Sequence, residues 1–100
     1  MKIQQEGISL IYQYFELSAD DSNIKKNYFQ EWFINHLIER VDYLLHNDMN
    51  SLLGILYKID VSESAVKRLF IYSKDQLAIE LTTLIIDRIN QKVAYRKSNK

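Results

Sequence analysis

The sequence predicts an all-α protein, a compact bundle of four to five helices with short polar turns, and three observations carry that prediction. Proline is absent and glycine occurs only at positions 7 and 54, so the residues that shape hairpins and break helices are nearly missing. Apolar residues recur at the 3.6-residue helical period in one segment after another. One hundred residues, 47% hydrophobic and 26% charged, suit one domain with its own core rather than a disordered chain. No repeat, low-complexity tract or compositional shift divides residues 1–100 into two domains.

The first helix is expected from about Ile3 to Leu17, where Ile3, Leu10, Ile11, Tyr14 and Leu17 recur on one face and Gln5, Ser9, Gln13 and Glu16 fall opposite. The cluster Ser18 to Asn23 then supplies turn and N-cap residues, with Asp20 and Asp21 placed where the next helix dipole favours negative charge. A second helix runs from there to about Asn47. Phe29, Phe33, Ile34, Leu37, Ile38, Val41, Leu44 and Leu45 fill half its circumference, which reads as the central helix. Asp48 is a good N-cap for a short third helix to Ile59, whose Leu52, Leu53, Ile55, Leu56 and Ile59 surround the axis as in a buried helix. Ser62 caps a fourth, to about Ile71, with Ala65, Val66, Leu69 and Phe70 inward. Ser73-Lys74-Asp75-Gln76 matches the capping box that opens a fifth helix reaching about Tyr95, with the basic tail from about Arg96 fraying.

Composition removes several function classes. The chain has no cysteine, which excludes disulfides, thiolate metal sites and cysteine nucleophiles. Thirteen basic and thirteen acidic residues cancel, withholding the global positive field that drives nucleic-acid or anionic-membrane binding. No apolar run reaches the length of a membrane span, and the polar start at Met1 to Gln5 fits no targeting segment, so a cytoplasmic protein is expected. No serine elbow, phosphate-cradling glycine loop or zincin pair occurs, so the chain is not expected to be an enzyme or to carry a cofactor.

Few residues invite chemistry. Asp42 and His46 stand four apart on one helix face, yet two side chains do not complete a metal site. His36 falls beside Trp32, Arg40 and Tyr43, a border of packed aromatics that also has the makings of a small pocket. Seven of the twelve aromatics (Tyr12, Tyr14, Phe15, Tyr28, Phe29, Trp32 and Phe33) lie in the first third of the chain. The first two helices are therefore expected to pack through them, with Trp32 in the contact.

The stretch Ile59-Asp60-Val61-Ser62-Glu63-Ser64-Ala65-Val66-Lys67-Arg68-Leu69 resembles the turn and recognition helix of bacterial helix-turn-helix repressors. That family commonly has a turn glycine before its Val-Ser pair and an alanine four residues earlier; Asp60 and Leu56 stand there instead. The resemblance implies DNA contacts from Ser64, Lys67 and Arg68. Taken whole, and most of all over Leu52 to Glu63, the chain is also similar to short helical bacterial proteins of unassigned function, a resemblance that implies a fold and no activity.

The expected function is that of a protein-interaction or oligomeric adaptor module, with a helix-turn-helix-like DNA-binding regulator as the alternative. A homodimer is expected from the fifth helix. Leu77, Leu81, Leu84 and Ile85 suffice to meet a core, while Ile79, Ile86 and Val93 repeat every seven residues as a second seam that a copy of the chain would cover.

Overall fold

The computed structural model describes residues 1–17, 29–73 and 75–98, and there the chain forms five helices. These are α1 (Gln5–Phe15), α2 (Phe29–Asn47), α3 (Met49–Ile59), α4 (Glu63–Tyr72) and α5 (Leu77–Ser98). No strand occurs among the described residues. The expected start of the second helix near Asn23, together with Tyr28, lies outside them.

α1 buries Gly7, Ile11 and Phe15, one residue per turn. Its first turn lies so close to α5 that a Cβ on Gly7 would stand 2.6 Å from the Ile89 Cγ2 methyl. Ahead of α1, residues 2–4 are non-helical and held by two carboxamides. The Gln30 side chain accepts from the Ile3 N–H (3.2 Å) and donates to the Ile3 carbonyl (2.9 Å). Asn90 donates to the Lys2 carbonyl and accepts from the Gln4 N–H, both at 2.8 Å.

α2 buries Phe33, Ile34, Leu37, Val41 and Leu44 of the stripe read from its sequence, while Phe29, Ile38 and Leu45 are half-buried. The central helix, however, is α5, against which each of the other four packs. Its buried residues Leu81, Thr82, Ile85, Ile86, Ile89 and Val93 span a wide arc for that reason. Each fully buried aliphatic side chain there contributes about 1.5–3 kcal/mol. The one buried polar side chain in that arc, Thr82, donates its hydroxyl to the Ala78 carbonyl at 2.7 Å, so no polar group there is stranded.

The predicted second seam on α5 is therefore not an open surface. Ile86 and Val93 are 0% and 3% exposed within the single chain, and only Ile79, at 41%, faces outward. Ile79 sits in the first turn, before α5 is enclosed by its neighbours. The helix extends past Tyr95 to Ser98, with Lys97 paired to Glu6 at 3.3 Å.

Candidate interaction surface

The local chemistry of α3 and α4 shapes the most distinctive part of the surface. Asp48 caps α3 as expected: its carboxylate accepts from the Ser51 N–H (3.2 Å) and from the Ser51 hydroxyl (2.6 Å). Those bonds hold the Asp48 carboxyl below its ordinary pKa, since they stabilise the anion. α3 ends where Asp60 takes a left-handed conformation (φ 68°, ψ 45°), which is where the repressor motif has its glycine. The Val61 N–H reaches back to the Leu56 carbonyl and the Asp60 N–H to that of Tyr57, both at 3.1 Å. Ser62 then caps α4 by accepting from the Ala65 N–H at 3.3 Å.

A left-handed aspartate carries a steric cost, and Arg88 of α5 offsets it. The Arg88 guanidinium donates through Nε to the Asp60 carbonyl (3.2 Å) and through Nη2 to the Asp60 carboxylate (3.3 Å), fastening the turn to the central helix. Along α5, Lys92 lies against Arg88 and Arg96. Its ammonium is pushed below the ordinary lysine range, first by partial burial and then by those two cations.

α3 is not buried on all sides as its sequence predicted. Leu52, Leu56 and Ile59 face the core, but Leu53 is 46% and Tyr57 82% exposed. Together with Val61, Val66 and the rim residues Asp60, Glu63 and Lys67 they line a groove of about 520 Å³ between α3 and α4. On the outer face of α4, Ser64, Lys67, Arg68 and Ile71 are all exposed and share the i, i+3, i+4, i+7 spacing. Phe70, expected inward, is exposed as well.

A second groove, of about 640 Å³, runs between α2 and the junction of α4 and α5. Ile38, Leu45, Met49, Phe70, Leu77 and Ile79 form its apolar floor, and Glu39, Asp42, His46 and Asp75 stand at its edge. Neither Lys nor Arg lines it among the described residues.

The remaining sequence candidates resolve into local contacts. His46 Nδ1 lies 2.8 Å from the Asp42 carbonyl oxygen and 3.4 Å from its carboxylate, a pairing within one exposed helical turn. Among the described residues no three His, Cys, Asp or Glu side chains converge as metal ligands. The group at His36 divides in two: Trp32 stacks on His36 (5.2 Å, 12°) and packs on Phe29 (5.8 Å), while Arg40 lies over the Tyr43 ring at 5.4 Å. Trp32 is half-buried along α2, and the ring pair that joins α1 to α2 is Tyr12 with Phe33, at 5.5 Å. The Ser73 hydroxyl donates to the Glu80 carboxylate instead of closing a capping box with Gln76. No helix among the described residues is long and apolar enough to cross a membrane.

No protein-family model matches the chain, and neither a curated protein nor a solved structure matches it.

Proposed function

We propose that the protein is a non-enzymatic interaction module that works as a homodimer. One observation carries this reading. Six of the nine large apolar side chains exposed among the described residues (Leu53, Tyr57, Phe70, Ile71, Tyr72 and Ile79) fall on α3, α4 and the first turn of α5. Of these, Leu53 and Tyr57 wall the α3–α4 groove, and exposed apolar side chains at a groove mark protein contact. The α3–α4 groove suits a second copy because its rim carries both signs, so that across a twofold axis Lys67 of one protomer can face Glu63 of the other.

The test is light scattering at micromolar concentration. The wild type is expected at twice the chain mass, and Leu53→Ser/Tyr57→Ser at the chain mass with unchanged helicity. A folded monomeric wild type overturns self-association. Retrieval of a tagged chain from its native cells, scoring protein and nucleic acid separately, tests the wider reading, which fails if nucleic acid comes down in place of protein.

Two observations favour DNA binding as the second reading. A short turn with Asp60 in the left-handed conformation joins α3 to α4, and Ser64, Lys67 and Arg68 are all exposed on α4. The zero net charge also hides an asymmetry, since residues 49–100 hold nine Lys or Arg and five Asp or Glu. Against it, Ile71 stands among the three polar side chains and Glu63 opens the helix. Submicromolar affinity for random duplex DNA at physiological salt, lost in Lys67→Glu/Arg68→Glu, would favour the regulator over the adaptor.

A further inference from the structure

We infer that the groove between α2 and the α4–α5 junction takes a cationic amphipathic helix of another protein, a step that rests on the interaction-module reading and gives it a partner of defined chemistry.

The floor comes from four helices, and its apolar side chains are all half-buried or exposed. They do not complete one another's burial, so the groove offers an apolar strip to a ligand. Among the described residues the two walls carry the same sign: Glu39 and Asp42 come from α2, and Asp75 comes from the connection between α4 and α5. The Asp42 side chain is 57% exposed even beside His46, so it retains capacity for a second cation.

Sign decides among the possible occupants. An acidic rim repels nucleic acid and anionic lipid. It also repels a second copy presenting the same groove, unlike the mixed rim between α3 and α4. Among the described residues there is no sheet edge for an extended peptide to join, and an apolar strip flanked by carboxylates suits helix-in-groove recognition. The ligand's apolar face then lies on Leu45, Met49 and Ile79, and lysines or arginines flanking that face reach Glu39, Asp42 and Asp75.

The probe is a fluorescent peptide of about 18 residues with leucines at i, i+3, i+4 and i+7 and lysines elsewhere, set against the same pattern with glutamate for lysine. Micromolar binding of the lysine peptide is expected, with methyl resonance shifts at Ile79, Met49 and Leu45. Glu39→Lys/Asp42→Lys, at two exposed positions, is expected to weaken it by about tenfold or more with unchanged circular dichroism. Leu53→Ser/Tyr57→Ser is expected to bind like the wild type. Equal binding of the glutamate peptide, an unchanged affinity in the charge-reversed variant, shifts centred on Leu53, or no binding of the lysine peptide would each overturn the inference. So would self-association of the wild type that is lost in Glu39→Lys/Asp42→Lys, since a second copy would then occupy the groove. The interaction-module reading fails separately, when the wild type neither self-associates nor retains protein from its native cells.

Discussion

The groove between α3 and α4 and the groove between α2 and the α4–α5 junction share helix α3, which gives Leu53 and Tyr57 to one and Met49 to the other. They are built differently. The first has a buried base of Leu56, Val61 and Val66 under two exposed walls, with charges of both signs at its rim. The second has a floor of partly exposed side chains throughout and carboxylates at its edge. A patch whose base belongs to the core cannot change without cost to folding, whereas a patch assembled from partly exposed residues can change its partner at little cost. Mixed signs permit self-pairing, while a single sign demands a partner of the opposite charge.

The largest effect expected from this contrast is on stability. Leu56→Ala should cost about 2–5 kcal/mol in chemical denaturation, as buried leucines do, whereas Ile79→Ala should cost less than about 1 kcal/mol. Similar values for the two would show that both floors bear equally on the core and would break the comparison.

A smaller effect isolates the turn that shapes the first groove. Asp60→Ala places a methyl-bearing residue in the left-handed region and removes the Arg88 ion pair, at a cost of about 1–2 kcal/mol. Asp60→Gly loses the same pair but not the conformational ease, so its midpoint should lie above that of the alanine variant. The reverse order would mean that the left-handed backbone conformation does not govern the turn.

The smallest effect concerns the helix that the grooves share. The Asp48 carboxyl titrates below its ordinary value in the folded chain because it accepts from Ser51 twice. Its cap therefore stabilises α3 fully above the unfolded-state pKa and is lost as pH falls through the lowered folded one. Acid titration of Asp48→Ala should show a shallower loss of stability than the wild type across that window, and parallel curves would remove the cap from the account.

The features the sequence disclosed are those settled within a few residues. Asp48 and Ser62 act as caps because an N-cap needs only its own side chain and the amide three positions on, and α3 ends at Ile59 as expected. Ser73 shows where local reading stops, since its hydroxyl is taken by Glu80 a full seven residues away. The α5 seam shows a second limit. Ile79, Ile86 and Val93 do share one face, but a helical wheel has no axial coordinate, and neighbours cover that face from the second turn onward. The wide apolar arc of α5 marks a central helix touching four others, not a second seam left for a copy of the chain. The two grooves were out of reach for the same reason: the acidic one joins residues 38–49 to residues 70–79, and no spacing rule links those segments.

The carboxamide clasps at residues 2–4 bear on how the chain opens and closes. Gln30 and Asn90 present a side-chain amide to the backbone much as a neighbouring strand would, and the Asn90 bonds join positions 86 and 88 residues apart. Contacts of that span are slow to form, because the chain between them must be ordered first. Amide hydrogens outside regular structure ordinarily exchange with solvent within moments. Those of Ile3 and Gln4 should instead be slowed, the part-buried Ile3 amide more than the exposed Gln4 amide, which makes a short non-helical segment a reporter of its own release from Gln30 and Asn90.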